Sequence, residues 1–312
     1  MLKETNFLQS PAWVDFNRHI NHSVIEKKTK NYRYVAIVEK GQLSNRLYCP
    51  LGPIAKDQAG LEAALADLTK EAKKRKLDFV RIEPTLTGLS EDNLKKLGLV
   101  KSRRDVQPPH SVCNNVAISD EEIEAELSQT ARRYARKCDK AGITYSVSYN
   151  PTEIRYFISL IHEVADRTGM KPHDDLYFQQ IAAFMFPKKT AGLLLADLNG
   201  EKIAAIIFYT DGQTMLYAHA ANSTEYRKLS PATGLALYAL KFAHKQGCQV
   251  FDWCGVAPAQ DDGNPRWRAW AGFTHFKLSF GGQRVDRLGT WELPLKKTRY
   301  LLYRALLAIA RR

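Results

Sequence analysis

A lysine set in an aromatic, apolar run is the residue of this chain that most needs a chemical reason. The segment Ala271-Gly272-Phe273-Thr274-His275-Phe276-Lys277-Leu278-Ser279-Phe280 has the composition of a strand. An ammonium buried there without a partner is strongly disfavoured or gives up its proton. Lys277 therefore either faces a pocket or charged ligand, or sits on the solvent side of an edge strand. Asp252, Cys254 and His275 lie nearby in sequence and could supply a thiol nucleophile with a base, although a free cysteine is more often a small buried apolar residue. Glu83 ends the short apolar run Phe79 to Glu83, where a carboxylate could orient an amine, accept its proton, or pair with an arginine. Arg132, Arg133, Arg136, Lys137 and Lys140 recur at helical spacing and gather positive charge on adjoining faces. Such a helix is either a solvated surface or a binder of phosphate backbones whose grip weakens as salt rises. The remaining histidines show no metal-ligand spacing and no cysteine pair has the C-x-x-C form, so no metal is expected.

The elements that must hold these residues are legible in outline. Ser10-Pro11 predicts a helix start, serine as cap and proline at the first helical position. Tyr32 to Glu39, a turn at Gly41-Gln42 and Asn45 to Cys49 predict a hairpin, followed by a helix over Leu61 to Lys76 and the strand Phe79 to Glu83. The same grammar returns later. Gly192 to Leu198 and Lys202 to Tyr209 flank the hairpin signal Asn199-Gly200, Gln213 to Ala220 adds a strand, Pro231 to Gln246 a helix and Val250 to Trp253 a buried strand. Element order thus predicts two diverged copies of one α/β unit. Ser119-Asp120-Glu121-Glu122 is a capping box, predicting that the basic helix runs from there to about Lys140.

Composition narrows the class. The chain of 312 residues is long enough for two modest domains. Forty-six basic against thirty-three acidic residues give a net charge of +13, which favours polyanionic partners: RNA, anionic lipid or phosphorylated precursors. The start Met1-Leu2-Lys3-Glu4-Thr5-Asn6 lacks the apolar core of a signal peptide, and no apolar run reaches the length of a membrane span, so a cytoplasmic protein is expected. The stretch Leu295 to Arg312 reads as an amphipathic basic helix that either packs on the first domain or lies on an anionic membrane surface.

A series of short motifs then follows along nearly the whole chain: Phe7-Leu8-Gln9-Ser10-Pro11-Ala12-Trp13, Cys49-Pro50-Leu51-Gly52-Pro53, Arg81-Ile82-Glu83-Pro84, Asp166-Arg167-Thr168-Gly169-Met170 with Tyr177-Phe178, Phe251-Asp252-Trp253-Cys254-Gly255, and Gly272-Phe273 with Phe276-Lys277. In this order, from about Phe7 to Gly289, they resemble the FemABX family. Its members are aminoacyl-tRNA-dependent transferases that add amino acids to the stem peptide of peptidoglycan precursors. The resemblance implies an α/β (α+β) fold of two tandem GNAT-like acyltransferase domains with mixed central sheets and, in this compact chain, no coiled-coil arm. The expected limits are 1–105 completed by 287–312 for the first domain and 106–286 for the second.

The resemblance also assigns roles. Lys277, with Phe276 beside it, matches the catalytic lysine that stabilises the transition state. Trp13, Glu83, Tyr177 and Tyr217 match positions around the precursor, expected in a groove between the domains. Compact relatives acting on a soluble nucleotide-linked precursor carry a lysine where this chain has Asn17 and an arginine where it has His173. A neutral amide and a partly charged imidazole make a poorer diphosphate clamp, which favours a lipid-linked acceptor. Arg132, Arg133, Arg136, Lys137 and Lys140 would meet the tRNA, and no cofactor beyond the aminoacyl-tRNA co-substrate is implied. Two other readings stand beside this one: an N-acyltransferase using an acyl-CoA donor, and a non-catalytic RNA- or membrane-binding protein. Against the acyl-CoA reading, Arg227-Lys228-Leu229-Ser230-Pro231-Ala232-Thr233-Gly234 falls where a pyrophosphate loop is required but has a single glycine and a proline. The amino acid, the accepting residue and the number of additions are open at this level.

Overall fold

The computed structural model describes residues 6–260 and 263–309. The chain divides into two compact units, Met1–Pro109 with Asp286–Arg312, and His110–Val285. In chain order the first unit contains α1 (Pro11–His19), β1 (Ser23–Lys28), β2 (Tyr32–Lys40), β3 (Asn45–Cys49), β4 (Ile54–Ala55), α2 (Gln58–Lys74), β5 (Phe79–Ile82), α3 (Glu91–Lys96) and β6 (Val100–Lys101). The second follows with β7 (His110–Asn115), α4 (Asp120–Glu126), α5 (Gln129–Lys140), β8 (Thr144–Ser148), α6 (Ile154–Thr168), α7 (Asp175–Met185), β9 (Ala191–Leu198), β10 (Glu201–Thr210), β11 (Thr214–Asn222), α8 (Pro231–Lys245), β12 (Val250–Gly255), α9 (Pro265–Leu278) and β13 (Gln283–Asp286). The chain then returns to the first unit with β14 (Trp291–Pro294) and α10 (Lys297–Ile309).

Each unit is built on a mixed sheet, ordered β1-β2-β3-β5-β14-β6 in the first, with β4 on β2, and β13-β7-β12-β11-β10-β9-β8 in the second. Both sheets contain a parallel pair reached by a helical crossover: β3 beside β5 through α2, and β11 beside β12 through α8. A parallel neighbour cannot be reached by a tight turn, so the helix between is a topological necessity. The repeated hairpin, helix and strand are therefore the same device used twice. In the first unit the crossover helix buries Leu61, Leu65 and Leu68 against Tyr34, Leu47, Val80 and Trp291; in the second, α8 buries Leu235, Ala239 and Leu240 near Phe208, Phe251 and Trp253.

The C-terminal return is fastened by a buried ion pair. The Arg81 guanidinium on β5 donates to Glu292 on β14 at 2.6 Å, and both side chains are buried. Tyr300 of α10 donates to the same carboxylate at 2.7 Å, and Arg81 donates to the Tyr303 hydroxyl at 2.9 Å. Each charge is thus hydrogen-bonded as well as paired, the condition under which a buried pair is tolerated.

Two sequence expectations are corrected. The capping box at Ser119 forms, but its helix stops at Glu126; Leu127 is extended, and Ser128 accepts the Ala131 N–H to begin α5 anew. A second good cap inside a polar stretch ended the first helix early. The run carrying Lys277 is helix, not strand: Asn264 accepts the Arg266 N–H, Pro265 takes the first helical position, and α9 continues to Leu278. Its inward residues are Trp267, Thr274 and Lys277, which recur at helical intervals, whereas a strand would turn alternate residues inward.

Candidate active site

β11 and β12 pair in parallel over only three positions, Thr214 with Val250 through Leu216 with Asp252. Beyond them β12 bulges against β7 between Asp252 and Gly255, where Cys254 has the left-handed φ of 57°. The Asp252 carboxylate shapes this bulge by accepting the Cys254 N–H at 2.8 Å and the Ser111 hydroxyl, which also reaches the Cys254 carbonyl at 2.9 Å.

Into this opening the last turn of α9 delivers Lys277. Its ammonium donates to the carbonyls of Trp253 and Gly255 at 2.7 and 2.8 Å. The residue is 9% exposed, and Nζ lies 5.6 Å from the Tyr217 ring centre and 5.2 Å from that of Phe273. Burial pulls its pKa below that of an ordinary lysine, while the neighbouring Cys254 and Asp252 act in the opposite direction. An ammonium has three N–H donors. With two spent on backbone carbonyls, the third can meet an oxygen that gains negative charge.

Phe276 points elsewhere: it stands edge-on to Trp253 and Phe280, at 6.3 and 5.1 Å, as a core contact behind the lysine. His275 is exposed on α9, and Asp252 is engaged by the bulge and Ser111. Among the described residues no group of three histidine, cysteine or acidic side chains is placed to hold a metal ion.

A second polar cluster lies on the other face of β10 and β11. Tyr217 pairs with Phe208 and His219 with Ile207, a register shift that sends Tyr217 and His219 to opposite faces although alternation would put them together. His219 Nε2 lies 3.3 Å from the Tyr209 hydroxyl, and Tyr209 in turn bonds Tyr177. The His173 ring lies 4.4 Å from that of Tyr177, and Phe178 stands edge-on to His219 at 5.3 Å. Burial, reinforced by His173, pushes the His219 pKa down to about 3. His173 is also lowered, by burial first, with Asp174 opposing. This cluster is therefore neutral and aromatic near neutral pH, with His173 serving as a ring neighbour of Tyr177. The bulge that separates the two faces has no local signature, so the pairing of Tyr209 with His219 is not legible in the sequence.

In the first unit Glu83 is fully occupied. Its carboxylate accepts from the Tyr48 hydroxyl at 2.8 Å, the Leu51 N–H at 3.0 Å, the Gln107 N–H at 2.8 Å and the Thr290 hydroxyl at 2.7 Å. It pins three loop segments to the end of β5. Asn17 is also buried and committed, donating to the Trp13 carbonyl at 2.9 Å and meeting His22 Nδ1 at 2.9 Å. Trp13, half-buried, packs against Phe7 and Phe16.

The basic helix α5 buries Ala131, Ala135 and Cys138 and leaves Arg133, Arg136, Lys137 and Lys140 exposed, lining a cleft of about 530 Å³. Lys137 reaches back to the Lys228 carbonyl at 2.6 Å, and Arg132, half-buried, to that of Ala125 at 3.1 Å.

The start of α8 is occupied by the protein's own groups. Cys138 Sγ donates to the Leu229 or Ser230 carbonyl, each at 3.3 Å, and accepts the Gly234 N–H. Thr233 N–H returns to Ser230, and Pro231 has none. A Cβ at position 234 would fall 1.9 Å from the Tyr145 hydroxyl. Few N–H groups remain there to cradle a pyrophosphate.

The fold is that of two tandem GNAT-like domains. Residues 125–268 match the acetyltransferase (GNAT) domain family. Among curated proteins none matches the chain in sequence. Among solved structures it is similar to FemX, at 17% identity with a TM-score of 0.83 over 96% of this chain and 95% of that one. It is also similar to the C-terminal DUF2156 domain of a candidate lysylphosphatidylglycerol synthetase from Agrobacterium fabrum, at 12% identity and a TM-score of 0.63 over 96% and 92% of the two chains. A tandem GNAT protein from the clavulanic acid biosynthesis pathway follows at 10% identity and a TM-score of 0.51, over 88% and 83%. At these identities the likeness is one of fold.

Proposed function

We propose that this protein transfers an aminoacyl group from aminoacyl-tRNA to an amine on the stem peptide of a peptidoglycan precursor, helping to form the interpeptide bridge. The observation that carries the reading is Lys277, a desolvated ammonium held by two carbonyls at the parting of β11 and β12. In the reaction the neutral amine attacks the ester carbonyl carbon, and the carbonyl electron pair moves to oxygen. Lys277 stabilises that oxyanion. Collapse re-forms the carbonyl, expels the ribose oxygen and leaves an amide, while the proton lost by the amine ends on the ribose hydroxyl. No side-chain nucleophile and no cofactor is needed.

The donor assignment is supported by the crowded start of α8, which disfavours an acyl-CoA pyrophosphate, and by the exposed cations of α5, which suit an RNA backbone. The acceptor assignment rests on the likeness to FemX. Asn17 is buried and spent on Trp13 and His22, and His173 packs on Tyr177, so neither offers a diphosphate clamp, which favours a lipid-linked acceptor over a nucleotide-linked one. The outward face of α10, with Leu301 and Leu302 exposed beside Lys297 and Arg299, suits the inner membrane surface where that acceptor would be met.

The test is a mass-spectrometric transfer assay with charged total tRNA and both kinds of stem-peptide acceptor. An RNase-sensitive mass gain that disappears in Lys277→Met is expected. Transfer from an acyl-CoA and none from tRNA would overturn the donor assignment. Full activity in Lys277→Met would remove Lys277 from the chemistry.

A further inference from the structure

Along α9 a ladder of partly exposed side chains leads inward to the buried Lys277. Arg266, Trp270, Phe273 and Lys277 are spaced by four, three and four residues, which places them along one helix face. The Arg266 guanidinium carbon lies 4.9 Å from the Trp267 ring centre and 4.6 Å from that of Trp270. Trp270 and Phe273 are 5.0 Å apart, and Lys277 Nζ is 5.2 Å from Phe273. Trp267 turns inward and packs on His110, but Phe273 is 38% exposed and Trp270 half-buried. Scattered surface aromatics need no explanation; a contiguous run leading to a buried ammonium does.

We propose that this ladder is a stacking track for the unpaired 3′-terminal nucleotides of an RNA donor, with the last base against Phe273 and the one before it against Trp270. The proposal rests on the aminoacyl-tRNA reading above and adds the residues that would receive the reacting end. Flat rings flanked by cations fit nucleotides, because every base has a face to stack and every link carries a phosphate. The neighbouring charge is of the right sign: Ser128, which caps α5, donates its N–H to the Ser279 carbonyl just past α9 at 2.8 Å. The basic helix therefore begins where the ladder ends. A base on Phe273 would leave its own ribose ester next to Lys277.

The test measures binding of the full chain to two synthetic RNA stem-loops, one with four unpaired 3′ nucleotides and one blunt-ended. The wild type should prefer the overhang. Phe273→Ala and Trp270→Ala should each weaken overhang binding by roughly 5- to 150-fold, the range for a lost aromatic–base stack, without changing binding to the blunt RNA. Phe273→Trp should retain the preference, and unchanged melting temperatures would exclude a folding defect. Overturning results are equal binding of both RNAs by the wild type, alanine variants that keep the preference, or variants that lose binding to anionic vesicles instead of RNA. Transfer from aminoacyl-tRNA is measured in parallel. If it stays RNase-sensitive while the ladder variants behave as wild type, the ladder fails and the donor reading survives; if transfer uses only an acyl thioester, both fall.

Discussion

At the scale of single residues, two buried bases titrate away from their ordinary values and make opposite demands. For Lys277 the charged form is the useful one. Burial sets its pKa below the ordinary lysine value of 10.5, so its charged fraction begins to fall at a lower pH than for an exposed lysine. Activity should therefore show an alkaline limb below that value, which Lys277→Arg moves upward in whatever activity it retains, since a guanidinium stays charged. Lys277→Met should cost about 10²- to 10³-fold in kcat, the range for losing one oxyanion donor. Rapid-quench transfer rates across the pH range would check both; a limb at the same pH in all variants would belong to another group. For His219 the neutral form is the one the fold accepts. Its folded pKa is about 3 against an ordinary 6.5, so below 6.5 the unfolded chain takes up a proton that the folded chain refuses. Stability from this residue is complete above that pH and falls as acid is added, by at most about 1.4 kcal/mol per pH unit. Urea titrations between pH 7 and 5 should show a shallower decline for His219→Gln than for the wild type. Equal slopes would mean that the imidazole is hydrated in the folded state.

Elements were legible where local chemistry and tertiary demand agree. Ser10-Pro11, the Asn199-Gly200 hairpin and the apolar face of Leu61 to Lys76 each specify one structure, and α1, the β9–β10 turn and α2 follow. They were illegible where two local signals compete. The capping box at Ser119 predicts one helix, but Ser128 caps a second, so α4 and α5 stand in its place. The aromatic content around Lys277 predicts a strand, whereas Asn264 and Pro265 start a helix that runs through it as α9. In the site itself Lys277 could be singled out by its setting, but its two carbonyl partners could not, since they depend on the parting of β11 from β12. The crowding at the start of α8 belongs to the same scale and can be tested there. Gly234→Ala brings a methyl group to 1.9 Å from the Tyr145 hydroxyl and 3.1 Å from Cys138 Cβ, which should destabilise the protein by about 2 kcal/mol as overpacking does. Adding Tyr145→Phe should recover part of the loss. A Gly234→Ala protein as stable as the wild type would show that the contact relaxes freely and weaken the case against a pyrophosphate there.

For the molecule as a whole, the last element joins stability to a surface. Among the described residues no helix is long and apolar enough to cross a membrane. Yet Leu301, Leu302 and Ile309 of α10 are 66%, 61% and 68% exposed, and the chain carries a net charge of +13. The expected basic tail extends to Ala310-Arg311-Arg312, which lie outside the described residues. The inner face of α10 is not expendable, because Tyr300 and Tyr303 pack on Phe79 and hydrogen-bond the buried pair Arg81–Glu292. Deleting the helix would uncover that pair and damage the first unit, so a truncation cannot distinguish membrane adhesion from misfolding. Substitution on the outer face can. A Leu301→Ser, Leu302→Ser double variant should melt within a few degrees of the wild type, because it removes exposed side chains. If those leucines enter an anionic bilayer, each contributes roughly 1.5–3 kcal/mol of apolar burial at most, and losing both should weaken vesicle binding by at least about tenfold. Co-sedimentation with vesicles containing phosphatidylglycerol, beside purely zwitterionic ones, would measure it. Wild-type protein that ignores anionic vesicles would refute the membrane role. A wild type that instead dimerises with rising concentration, and a double variant that does not, would assign the same face to a second copy of the chain.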